Sequence, residues 1–158
     1  PTTIGAAQQT YAGGQTDALV SVLDLVPTGV RAYGRSTAGC RGPLVLNAFA
    51  KPTQGASDFS LYASGLPPNA SGRILVCDAG LGSAQANSGI NLWVDVSGRL
   101  KRVQVTASAD GFVDISIPEL VLGPPGTRRF VQLIADGTPS CGGANTRCAS
   151  NALEITVQ

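Results

Sequence analysis

The stretch Arg102-Val-Gln-Val-Thr-Ala-Ser-Ala-Asp-Gly-Phe-Val-Asp-Ile-Ser-Ile117 decides the fold class. Val113, Ile115 and Ile117 alternate with Phe112, Asp114 and Ser116, the period of two that sends successive side chains to opposite faces of a strand. Asp110-Gly111 is turn chemistry, because glycine takes the positive φ of a tight hairpin without steric cost. Working outward, the same signals recur between Gly, Pro, Asn and Asp clusters, and no window shows a capped helical period. They predict strands over 18–26, 44–50, 59–64, 73–77, 91–96, 102–107, 112–117, 129–135 and 152–157. Turns are expected at Leu66-Pro-Pro-Asn69, Ser97-Gly98, Gly123-Pro-Pro-Gly126 and Asp136-Gly137. The expected fold is all-β: an antiparallel β-sandwich, Ig-like or jelly-roll-like, of about nine to ten strands.

Alternation also assigns faces. Leu92, Val94 and Val96 share one side of their strand, and Leu153, Ile155 and Val157 do the same. Trp93 falls on a polar face between Asn91 and Asp95, Phe112 beside Asp114, and Tyr62 between Ser60 and Ser64. The segment 17–26 is different: Leu19, Leu23 and Leu25 occupy one face while Val20, Val22 and Val26 occupy the other. A strand apolar on both faces has to be covered on both, by its own sandwich or by a neighbouring subunit. The chain therefore divides into an N-terminal extension, 1–29, and a single β-sandwich domain, 30–158.

A chain of 158 residues is one domain's worth, able to bury roughly two-thirds of its unfolded surface. No apolar run approaches the roughly 18 residues of a membrane span, so none is expected. The formal net charge is +1 and no basic run is longer than Arg128-Arg129, which leaves no electrostatic footprint for nucleic acid. The chain has no His, which removes His-based acid–base catalysis, Ser-His-Asp and Cys-His sites and His-ligated metals. No enzyme activity, cofactor or metal is expected. With no Met and no signal segment at its start, residue 1 reads as the processed end of something longer.

Cys40, Cys77, Cys141 and Cys148 lack C-x-x-C spacing, so disulfides are expected rather than zinc. Of three connectivities, Cys40–Cys77 with Cys141–Cys148 is favoured, because Cys141-Gly-Gly-Ala-Asn-Thr-Arg-Cys148 is a turn-rich loop whose ends meet easily. The others stay open. A disulfide-stapled chain implies an extracellular or cell-surface setting.

Two resemblances add to this. The opening Pro1-Thr-Thr-Ile-Gly-Ala-Ala-Gln-Gln-Thr-Tyr-Ala-Gly-Gly-Gln-Thr-Asp-Ala-Leu-Val-Ser-Val-Leu-Asp24 resembles the end of the SBBP repeat of bacterial secreted proteins, a β-propeller-type repeat. It departs from that pattern at Ile4 and Leu19, and one repeat tail does not build a propeller. Gly39-Cys-Arg-Gly-Pro43, Phe59-x-Leu-x-x-x-x-Leu-Pro-Pro-Asn69, Phe130-Val-Gln132 and Ser150-Asn-Ala-Leu-Glu-Ile-Thr-Val157 form a second, looser set. They are similar to the C-terminal module of large surface proteins from planctomycete- and myxobacterium-like bacteria. That resemblance implies an extracellular β-domain and supplies no catalytic residues.

Other motifs read more simply. Gly80-Leu-Gly82-Ser-Ala-Gln85 nearly spells a dinucleotide loop but lacks the third Gly and a following helix, so a flexible loop is expected. Asp95, Asp110 and Asp114 are the acids available for a glycosidase pair or a calcium site, yet their contexts are those of solvated or turn-capping carboxylates. Asn69-Ala-Ser71 fits a glycosylation triplet and also the end of the Pro-Pro turn. Arg128-Arg129 reads as charge guarding an edge strand.

Two functions fit. The first is a non-enzymatic structural or assembly module, a filament subunit or surface anchor. Its partner would be another copy of the chain or a surface or propeller domain of the parent protein. Leu19, Val20, Val22, Leu23 and Leu25 would supply β-strand complementation. The alternative is a carbohydrate-binding module that seats a polysaccharide on Trp93, Tyr62 and Phe112.

Overall fold

The structure is a computed structural model that describes residues 26–39, 42–136 and 147–158. It is all-β. The strands are β1 (Val30–Tyr33), β2 (Ala38–Gly39), β3 (Gly42–Pro43), β4 (Val45–Ala48), β5 (Ser60–Ser64) and β6 (Ser71–Cys77). They continue with β7 (Gly80–Asn87), β8 (Ile90–Val94), β9 (Leu100–Thr106), β10 (Val113–Ser116), β11 (Arg128–Asp136) and β12 (Arg147–Thr156). One 3-10 turn, Pro118–Val121, precedes β11. No helix among the described residues is long and apolar enough to cross a membrane.

All pairings are antiparallel. A five-stranded sheet runs β1-β12-β11-β6-β9, a three-stranded sheet runs β10-β5-β4, and β7-β8 and β2-β3 form two-stranded ribbons. The five-stranded sheet is covered on both faces. On one face Ile74, Val131, Leu133, Leu153 and Ile155 meet Leu46, Leu61, Val113 and Ile115 of the three-stranded sheet. On the other, Leu75, Cys77, Ala149 and Ala152 meet Ile90, Leu92 and Val94 of the β7-β8 ribbon. Two-sided cover explains the unbroken run Ile74-Leu-Val-Cys77 in β6, since a strand buried on both faces has no polar phase to show.

Several expectations change. The run over 102–117 is not a hairpin: β9 pairs with β6 and β10 with β5, so Asp110-Gly111 carries the chain from one sheet to the other. Val103 and Val105 face the first core from one side and Val113 and Ile115 from the opposite side, which requires the crossing. Gly80–Asn87 is a strand rather than a flexible loop, held by its partner β8. β1, β2 and β3 were not expected either, so with β7 they bring the strands among the described residues to twelve, while the expected strand 18–26 lies outside those residues but for Val26. Arg128-Arg129 opens an interior strand, β11, and no edge. Their charges are met by Glu154 at 3.4 Å and Asp78 at 3.3 Å.

The disulfide staple is corrected as well. Cys77 and Cys148 are free, buried thiols. Cys77 lies opposite Phe130 and Cys148 opposite Ala135, five residues apart along β11 and on opposite faces of the sheet. At about 3.3 Å per residue that is roughly 17 Å, far beyond disulfide reach, so the connectivity joining these two is excluded. Their expected partners Cys40 and Cys141 lie outside the described residues, as does the segment carrying Leu19, Val20, Val22, Leu23 and Leu25.

Candidate functional site

The site grows from the edge of β8 that faces away from β7. Four backbone groups there would be left without strand partners, and side chains serve all four. Thr37 Oγ1 accepts the Asn91 N–H at 3.1 Å, and Gln132 Nε2 donates to the Asn91 carbonyl at 2.9 Å. Gln132 Oε1 accepts the Trp93 N–H at 2.9 Å, and the Tyr33 hydroxyl donates to the Trp93 carbonyl at 3.0 Å. Gln132 is fully buried and spends its remaining N–H on the Ser150 carbonyl, so its amide stands in for a strand. Burial, followed by the charge of Glu154, pushes the Tyr33 hydroxyl up to about 12, which keeps it a donor at neutral pH.

This pairing fixes Trp93. Its indole N–H donates to the Arg35 carbonyl at 2.9 Å, and its ring lies on Gly34. Gly34 has φ +72°, and a Cβ there would meet Trp93 Cδ2 at 2.4 Å, so both conformation and space require glycine. Beside the ring opens a cleft of about 400 Å³ lined by Arg31, Tyr33, Gly34, Gly80, Leu81, Gly82, Trp93 and Phe130. Tyr33 and Phe130 meet edge to face at 6.3 Å, and a Cβ on Gly80 would strike both. Arg31 sits 5.4 Å from the Tyr33 ring centroid and donates through Nε to Glu154 Oε2 at 2.9 Å. Glu154, nearly buried, also faces Arg128. The result is an aromatic recess with the Arg31 guanidinium at its rim, held from behind by Glu154.

The other two aromatics expected beside Trp93 lie elsewhere. Tyr62 and Phe112 belong to the outer face of the three-stranded sheet, where Phe49 joins them. The Phe49–Tyr62 centroids are 4.3 Å apart and Tyr62–Phe112 6.1 Å apart. At 4.3 Å the rings cover each other's faces, which leaves less ring face for a ligand. Phe49 was not singled out although it lies in the expected strand 44–50, where alternation puts it in phase with Val45 and Asn47. Tyr33, Phe130 and Gln132 were also missed; a Gln inside the apolar run Val131-Gln-Leu-Ile134 was the available signal.

The acids are apart. Asp95 accepts the Ser97 hydroxyl at 2.6 Å and its N–H at 2.9 Å, which holds the carboxyl below its usual range in a local turn. Asp110 belongs to the crossing loop, and Asp114 faces Tyr62 across strands. Among the described residues no three His, Cys, Asp or Glu side chains gather as a metal site. Asn69, at φ 56°, closes the Pro-Pro turn ahead of β6. The chain matches no protein-family model, no curated protein and no solved structure.

Proposed function

We propose that the chain is a non-enzymatic carbohydrate-binding module that seats a sugar in the Trp93 cleft. The observation that carries this is the cleft itself: three aromatic side chains and a glycine floor beside the Arg31–Glu154 pair. A sugar ring has C–H faces that pack on aromatic rings and an equator of hydroxyls that exchange hydrogen bonds with guanidinium and carboxylate groups. The volume is within the range of small-molecule sites.

Trp93→Ala is a poor test, because Trp93 packs in the second core and its loss would destabilise the ribbon. Gly82→Phe is a clean one: a Cβ on Gly82 meets nothing within 4 Å and its backbone is not left-handed. In affinity electrophoresis through gels containing a panel of polysaccharides, the wild-type chain is expected to be retarded by at least one. Gly82→Phe is expected to run freely with an unchanged melting temperature. Retardation by none, or equal retardation of the variant, would overturn the proposal.

A further inference from the structure

We infer that a second cleft, on the opposite flank of the β7-β8 ribbon, binds a single ring bearing a carboxylate. Here, among the described residues, the ribbon leaves part of the five-stranded sheet uncovered. The opening, about 180 Å³, has Leu75, Ile90, Leu92, Leu100 and Ile134 among its lining residues, with Arg73, Arg102 and Arg147 around them. Among the described residues the only carboxylate lining it is Asp136, which pairs with Arg147 at 3.4 Å.

Arg73 and Arg102 have no carboxylate partner among the described residues. They stand on adjacent strands, Leu75 opposite Arg102 and Arg73 opposite Gln104, one diagonal step apart. Two exposed guanidinium groups a diagonal step apart repel weakly and favour an anion placed between them. Guanidinium groups recognise carboxylates through two parallel N–H···O bonds, which gives the anion its class. The apolar lining gives the body its class, and a cavity of about 150 Å³ already holds a benzene. In the Trp93 cleft, by contrast, the arginine among the lining residues, Arg31, is already paired with Glu154.

Isothermal titration with sodium benzoate, benzyl alcohol and inorganic phosphate tests this. Benzoate is expected to bind saturably, and the other two at least roughly tenfold more weakly, since each lacks one half of the match. Arg73→Gln/Arg102→Gln is expected to weaken benzoate roughly tenfold or more without lowering the melting temperature, because it relieves a repulsion. Arg102→Gln alone gives a smaller loss in the same direction and serves if the double variant fails to fold. Gly82→Phe is expected to bind benzoate as the wild type does, which separates this site from the first. The inference falls if benzoate does not saturate, if benzyl alcohol or phosphate binds as well, or if removing the arginines changes nothing.

Discussion

Gln132 shows how much one residue can carry. Replacing it by Leu keeps the volume but strips partners from the Trp93 N–H and the Asn91 and Ser150 carbonyls. A buried polar group left unsatisfied costs about 1–3 kcal/mol, so Gln132→Leu is expected to lose on the order of 3 kcal/mol in urea unfolding. Gln132→Glu offers two acceptors and no donor at neutral pH, and is expected to do no better. Cys77 gives a different test. Burial, then the charges of Asp95 and Asp78, pushes its thiol up to about 11, and burial, then the charge of Asp136, raises that of Cys148. With Tyr33 raised to about 12, Cys77 and Tyr33 both hold their protons more tightly folded than unfolded. Stability from them is whole below the unfolded pKa values, near 8.5 and 10, and is lost as pH climbs to about 12. Cys77→Ala is expected to flatten the pH 9–11 part of that decline in the urea midpoint; an unchanged slope would place the loss elsewhere.

At the scale of elements, period-two alternation identified most strands because one face of each is buried, as in β8 and β10. It missed β7, whose Gly80-Leu-Gly-Ser-Ala-Gln-Ala-Asn87 run is largely exposed and has no apolar phase to display. It misread Asp110-Gly111 because a turn residue reports the local bend and not which strand the chain pairs with next. The Trp93 cleft was half legible: Trp93 stood out on a polar face, while Tyr33 and Phe130 come from strands far away in sequence. The aromatic ladder is a local device of the three-stranded sheet. Tyr62 faces Asn47 and Asp114, so Phe49 and Phe112 are its two diagonal neighbours. Phe49, 56% exposed, is expected to cost about 0.5–1 kcal/mol as Phe49→Ala. Tyr62→Ala, which loses both contacts, is expected to cost about twice that. In a double-mutant cycle Phe49→Ala and Phe112→Ala should be nearly additive, because only Tyr62 links them; strong coupling would mean that the two rings touch.

Across the whole molecule the layers are joined unequally. The first core is broad and fully buried, and Asn151 fastens β4 to it from β12 by donating to the Leu46 carbonyl and accepting its N–H. Asn151 reaches across because β12 bulges where the β11 register shifts between Gln132 and Ile134. The β7-β8 ribbon rests on a smaller core and on the side-chain bonds of Tyr33, Thr37 and Gln132, with no backbone ladder to the sheet. It should therefore open as a unit ahead of the rest. Hydrogen exchange is expected to give β8 amides lower protection free energy than those of β6, β11 and β12, and Gln132→Leu to widen the gap without changing β5. A ligand in the Trp93 cleft touches ribbon and sheet together, so it binds only the closed form. At a hundred times its Kd it would raise β8 protection by about 2.7 kcal/mol. Equal protection of β8 and β11 in the free chain would instead make the three layers one cooperative unit, in which a ligand slows exchange everywhere alike.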